Sequence, residues 1–287
     1  MKHWMHNSIK DALTAYPKMD TLDKECILAF ILQKNREHII SHPEKHLSLL
    51  QTMQYRWLLR KRKKGVPLAY ITKYKAFFGL DFLVNKNTLI PRPETEIMVE
   101  EVLKHIQQND ILIDIGVGSG CVPIAIAKTV AKKNKHITLH GTDISTKAIK
   151  VAKKNAKKHG ASISFYIGNL LQPIIRHVSI PKHSPTFITA NLPYITEEQF
   201  AQEKSIQHEP KSALVAQDNG LALYKELLTQ MKEWKTKPNS IRFFFEIDPL
   251  QSKELPQIIQ STFPNSTVFV KKDLAGHERL IHGTIEQ

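Results

Sequence analysis

The stretch Ile111-Leu-Ile-Asp-Ile-Gly-Val-Gly-Ser-Gly-Cys-Val-Pro-Ile-Ala-Ile-Ala127 reads as a short apolar strand, a glycine loop and the start of an apolar helix. Glycines in such a loop let the backbone approach a ligand closely. Pro123 is tolerable because it falls in a first helical turn. A glycine loop at the carboxyl end of a first strand lies where open α/β sheets bind ligands. The dinucleotide fingerprint G-x-G-x-x-G would need glycine at position 121, where this chain has Cys121. The spacing is G-x-G-x-G, and no Lys-Ser/Thr pair of a phosphate loop follows. A small cofactor without a pyrophosphate is favoured.

Downstream, Ile137–Thr142, Ile163–Ile167, Phe187–Ala190 and Ile241–Ile247 repeat the short apolar pattern, with helical stretches between most of them. That rhythm predicts a parallel sheet covered by helices on both faces. After a helix around Leu250–Phe263, the runs Ser266–Lys271 and Glu278–Ile285 lie close enough to pair antiparallel at the sheet's edge. Asp143 ends the second strand at the distance where a carboxylate accepts hydrogen bonds from ribose hydroxyls. It could equally cap the helix Ser145–His159, as could Ser145. Asn169, after the third strand, is either an adenine contact or a turn residue. After the fourth strand, Ala190-Asn-Leu-Pro-Tyr-Ile195 sets a side-chain carbonyl, a main-chain carbonyl and a ring on one turn stiffened by Pro193. Such a turn can hold a planar amino or amide nitrogen by its two hydrogens.

Upstream, residues to about Gly65 carry helix-spaced apolar positions, among them Leu22, Cys26, Phe30, Leu47, Leu50, Trp57 and Leu58, and predict a small helical bundle. Arg60-Lys-Arg-Lys-Lys64 is the densest positive run and is stopped by Gly65 and Pro67. It is either a solvated helix end or a contact for an anionic partner. Tyr70–Thr72 and Phe77–Val84 suggest a hairpin joining two domains. Ile90-Pro-Arg-Pro93 must be extended, and a helix is expected from near Glu94 to His105. The expected domains are therefore 1–66, helical; 67–93, a hairpin linker; and 94–287, catalytic.

A chain of 287 residues with 41% hydrophobic residues can bury a core. Its formal charge of +14 suggests an acidic or nucleic-acid partner. Cys26 and Cys121 are too few for a disulfide framework or a cysteine-rich zinc site. The first residues lack the apolar core of a signal peptide, and no run is long enough for a membrane span, so a cytoplasmic protein is expected. The 14 histidines show no H-E-x-x-H or similar spacing, so no metal is expected.

Gly116–Gly120, Asp143 and Asn191–Tyr194, in this order, resemble the class I S-adenosylmethionine-dependent methyltransferases that alkylate planar nitrogens. Gly65-Val-Pro-Leu-Ala-Tyr-Ile71, Leu89-Ile-Pro-Arg-Pro-Glu-Thr-Glu96, His208-Glu-Pro-Lys-Ser-Ala-Leu214 and Asp273-Leu-Ala-Gly-His-Glu-Arg279 narrow the likeness. Together they resemble the peptide chain release factor glutamine methyltransferase (HemK/PrmC) family over roughly residues 60–285.

The resemblance implies a Rossmann-like, mostly parallel seven-stranded α/β fold with a small N-terminal helical domain that recognises the release factor. It implies N5-methylation of the glutamine in the Gly-Gly-Gln motif of class 1 release factors, with S-adenosylmethionine as donor and S-adenosylhomocysteine as product. Gly116, Val117, Gly118, Ser119, Gly120, Asp143, Leu170 and Asn191 would border the cofactor, with Leu170 an apolar neighbour of the adenine. Asn191, Leu192, Pro193 and Tyr194 would hold the substrate glutamine and carry the catalysis. The enzyme is expected to act as a monomer, with no nucleic acid required. Leu192 replaces the family's usual first proline, Asn169 a more often acidic residue, and Asp248 a usual glycine after Glu246-Ile247. An adenine amino-methyltransferase acting on DNA or RNA, or a binding protein on the same fold, are the alternatives at this level.

Overall fold

A computed structural model describes residues 8–286 and divides the chain into two compact units that meet between Tyr74 and Lys75. Residues 1–7, which begin the expected helical domain, lie outside the described residues. Among those described, no helix is long and apolar enough to cross a membrane.

The first unit contains α1 (Ile9–Thr14), α2 (Thr21–Leu32), α3 (Arg36–Ser41), α4 (Leu49–Lys63) and α5 (Leu68–Thr72). Local chemistry sets the ends. Ser8 with Asp11, and Ser48 with Gln51, form reciprocal capping boxes, and Asp20 caps α2. Gln33 in the left-handed region terminates α2. Ile9, Ile27, Leu28, Ile39, Tyr55, Leu58 and Leu59 form the core. Leu22, Leu50 and Trp57, named from helical spacing, face solvent. The Lys24 side chain is buried and donates to the carbonyls of Leu13 and Tyr16, covering the C-terminal end of α1.

Tyr70–Thr72 differs from the sequence expectation. Pro67 starts a helical turn there, and Ile71 packs into the helical core. Lys73, with φ +66°, ends the turn. The hairpin consists only of β1 (Tyr74–Phe77) and β2 (Leu80–Leu83), turning through Phe78 and Gly79 at φ +49° and +70°. It packs with the second unit: Asn155 hydrogen-bonds both the N–H and the carbonyl of Leu83, and Glu96 accepts from the Phe78 N–H.

The second unit is built on a seven-stranded sheet of β3 (Ile111–Ile115), β4 (Thr138–Asp143), β5 (Ser164–Ile167), β6 (Thr186–Ala190), β7 (Ser240–Glu246), β8 (Thr267–Lys272) and β9 (Glu278–Glu286). The order is β5-β4-β3-β6-β7-β9-β8, parallel except for β9, which runs antiparallel to both neighbours. Around it run α6 (Glu96–His105), α7 (Cys121–Lys132), α8 (Thr146–His159), α9 (Gln172–His177), α10 (Glu197–Gln202), α11 (Ala222–Glu233) and α12 (Glu254–Thr262). Alternation along the strands divides the core in two. Ile113, Ile115, Phe243 and Phe245 pack with Leu227, Met231, Trp234, Leu255 and Ile259. Leu112 and Phe244 pack on the opposite face with Val99, Val102, Ile124 and Ile126. Strand order reverses at β3, whose neighbours are β4 and β6, so a crevice opens at their carboxyl ends.

Candidate active site

A cavity of about 550 Å³ lies at this reversal point. Its walls include Gly116, Val117, Gly118 and Ser119 after β3, Asp143 after β4, Leu170 after β5, and Asn191, Leu192 and Pro193 after β6. Pro91, Arg92 and Thr95 contribute from the segment before α6, and Pro210, Ser212 and Ala213 from the segment after α10.

The glycine loop is held by backbone bonds. The N–H groups of Gly116 and Val117 both donate to the Thr142 carbonyl at 2.9 Å. Gly116 and Gly118 have φ of +73° and +52°, a region that side chains enter only with strain. Gly120 and Tyr194 do not line the cavity. Gly120 precedes α7, and a Cβ there would lie 3.0 Å from Ile124 Cδ1 and 3.3 Å from Ala152 Cβ, so glycine permits close helix packing. Tyr194 stands half-buried among charged neighbours that include Glu246, Arg279 and Arg92. Burial, with Glu246 nearby, pushes its phenol up from the ordinary value.

Asp143 is not the cap of α8. Its carboxylate accepts the Gly118 N–H at 2.9 Å and the Ser145 N–H at 2.8 Å, while Ser145 itself caps α8. It shapes the loop and faces the cavity. Leu170, at φ +48°, closes the apolar side. Asn169 lines the cavity as well, with its amide tethered to Glu226 on α11.

Three further groups escaped the sequence reading. Asp114 lies inside β3, only 4% exposed, and accepts from Thr189 Oγ1 at 2.6 Å across the sheet. A carboxylate in an otherwise apolar strand just before a glycine loop was its signal. Burial pushes this carboxyl up to about 7. Glu209 is buried and accepts the Ile90 N–H at 2.9 Å and Arg92 Nη2 at 2.5 Å, tying the two wall segments together over more than 100 residues. Glu246, at the end of β7, is buried beside Thr95 and Asn191. Cys121 lines the wall, but burial pushes its thiol up to about 12, which rules against a nucleophile.

The Asp114 shift has a definite sign. A carboxyl whose folded pKa lies above its unfolded value contributes stability below about pH 4, and this is lost as pH rises through about 7. The ligand-free protein should therefore lose thermal stability between about pH 4 and 7, and Asp114→Asn should flatten that slope in calorimetry. An unaltered slope in the variant would show that Asp114 does not titrate there.

The residues at positions 6–72 match the family model described as PrmC N-terminal domain, and 93–206 match the methyltransferase small domain. The release factor glutamine methyltransferase of Bacillus cereus is 32% identical over 269 residues, covering 91% of this chain and 92% of that protein. That of Dictyoglomus turgidum is 34% identical, covering 97% and 95%. This chain belongs to the release factor glutamine methyltransferase family. The fold agrees independently. The N-terminal domain of human METTL16, solved in complex with SAH, superposes with a TM-score of 0.53 at 15% identity, covering 91% of this chain and 94% of that one. The METTL16 catalytic domain with an RNA hairpin gives 0.55 at 14% identity, covering 89% and 90%.

This methyltransferase uses S-adenosylmethionine, and the chemistry of the walls suits that cofactor. The volume is in the range of small-molecule sites. Asp114 and Asp143 both line the cavity, and carboxylates suit the ammonium group and ribose hydroxyls of that cofactor and would repel a pyrophosphate.

Proposed function

We propose that this methyltransferase transfers a methyl group to the N5 side-chain nitrogen of the Gly-Gly-Gln glutamine of class 1 release factors, with Asn191 and Leu192 orienting that nitrogen. The observation carrying this reading is that the Asn191–Pro193 turn opens into the same cavity as the glycine loop and Asp143. S-adenosylmethionine, when bound, supplies a methyl group on a sulfonium centre that is open to direct displacement.

The protein's task is to prepare the nucleophile. An amide nitrogen is weak because its lone pair is delocalised into the carbonyl. Asn191 Oδ1 and the Leu192 carbonyl accept its two hydrogens and aim the nitrogen along one line of approach. Positive charge grows on that nitrogen in the transition state, where fixed carbonyl dipoles stabilise it more than in the ground state. The carbonyl at position 192 survives the replacement of proline by leucine. The Leu192 side chain is buried, and its N–H lies 3.5 Å from the Tyr224 hydroxyl, which helps to hold the turn in place of the missing ring. Tyr194 stiffens the base of the turn, with its N–H on the Leu214 carbonyl at 3.1 Å.

Gly116–Ser119, Asp143 and Leu170 hold the cofactor in this reading. Asp143→Ala should weaken S-adenosylmethionine binding by about tenfold, the loss of a charge-assisted hydrogen bond and of a loop tether. Calorimetry reads this directly, and an unchanged Kd would remove Asp143 from the cofactor site.

The helical unit serves release-factor recognition, and its basic run is the candidate contact. Arg62 is ion-paired to Asp23 at 2.6 Å, and Lys61 lies 3.5 Å from the Trp57 ring centroid. Neutralising Arg60, Lys61, Lys63 and Lys64 while sparing Arg62 should slow association with the release factor and flatten its salt dependence. An unchanged salt slope would make the run a solvated helix end. The protein acts in the cytoplasm, as a monomer, without nucleic acid. The deciding experiment is methyl transfer from labelled S-adenosylmethionine to purified release factor, to the same factor with its Gly-Gly-Gln glutamine replaced, and to nucleic acid. Label on the intact factor alone supports the proposal, and label on nucleic acid overturns it.

A further inference from the structure

Glu246 is a carboxylic acid that the mechanism above leaves unused. It is only 3% exposed, and its Oε2 has no hydrogen-bond partner. Burying a carboxyl group incompletely satisfied costs stability, so its place invites a function. It does not line the cavity, but its side-chain neighbours Thr95 and Asn191 both do.

The polarity of that network follows from what each group can donate. Asn191 Nδ2 donates to Thr95 Oγ1 at 3.1 Å. The Thr95 hydroxyl, accepting from Asn191, has one hydrogen of its own to give, and the Glu246 carboxyl stands beside it. An ionised carboxylate only accepts, so the chain runs from amide to hydroxyl to carboxylate. With Nδ2 committed inward, Oδ1 is the atom left for the cavity. The reverse flip would turn Oδ1 toward the carboxylate and present Nδ2 to a substrate that itself offers N–H groups. The frame is rigid at this point. Ala190 pairs with Phe245 in the sheet, and the Tyr224 hydroxyl bonds the carbonyls of both Ala190 and Glu246.

We propose that Glu246, acting with Thr95, is a positioning residue that locks the Asn191 amide with its oxygen toward the substrate nitrogen. The inference rests on the glutamine-methylation reading and adds to it the group that sets the acceptor. Burial pushes the Glu246 carboxyl up to about 7, with Arg279 lowering and Glu94 raising it, and with Tyr194, Tyr224 and Cys121 as its other titratable neighbours. Protonated Glu246 can donate, and the lock is then lost.

The test is kcat at saturating S-adenosylmethionine and release factor, from about pH 5.5 to 8.5, with the cofactor Kd measured in parallel. The wild-type kcat should rise through about pH 7 and level off. In Glu246→Gln this limb should vanish and the plateau fall about tenfold, with cofactor Kd unchanged. Thr95→Val, which leaves the carboxylate in place, should show a similar fall, and Thr95→Ser should restore activity. A limb arising from Asp114, which lines the same cavity, would persist in Glu246→Gln. The proposal is overturned if Glu246→Gln keeps both the limb and the plateau, or if Thr95→Val keeps wild-type kcat. Failure of the wild-type enzyme to label the glutamine would instead remove the functional reading itself.

Discussion

Asn191→Ala should lower kcat for release-factor methylation by about 100- to 1,000-fold while the cofactor Kd stays close to wild type. The size follows from what is removed. Asn191 Oδ1 is one of two oxygens assigned to the substrate N–H groups, and loss of one preorganised dipole at a centre of developing charge costs about 3 to 4 kcal/mol in comparable sites. The fall should appear in kcat, because the interaction strengthens as the amide loses its conjugation. Single-turnover kinetics with labelled cofactor, beside calorimetric binding, would separate the two quantities. A variant that also lost cofactor binding would contradict the assignment of Asn191 to the substrate side.

Glu209→Ala should destabilise the second unit by about 3 kcal/mol, far more than loss of an exposed ion pair. Its carboxylate is buried while the Arg92 side chain is partly exposed, and it also accepts the N–H of Ile90. Truncation leaves a guanidinium and a buried backbone donor without their acceptor. The same change frees the segment carrying Pro91, Arg92 and Thr95 from the segment carrying Pro210 and Ser212, so the cavity should lose its shape. Urea unfolding followed by tryptophan fluorescence would measure the first effect. A loss below about 1 kcal/mol would place the pair among ordinary surface ion pairs.

Much of the site was legible in the chain because its parts are local. The glycine loop, Asp143 and the Asn191–Pro193 turn each follow a strand immediately, and a parallel sheet gathers strand ends at one edge. Tyr70–Thr72 was misread because a three-residue apolar piece carries no period. Only the proline before it and the core beside it made it helical. Gly120 and Tyr194 belong to local motifs whose neighbours line the cavity, yet neither lines it. Distance from a ligand depends on which way each Cβ vector points, and spacing does not record that.

Sequence by itself determined the succession of strands and helices, the antiparallel last pair, and the loops that line the cavity, since these follow from periodicity, glycine and proline over a few residues. Tertiary structure alone decided the partners of Glu209, Asp114 and Glu246. Each is a buried carboxylate whose meaning lies in a group 55 to 151 residues away along the chain. Hydrogen bonding and desolvation act through space, so their consequences appear only once the sheet has brought those groups together.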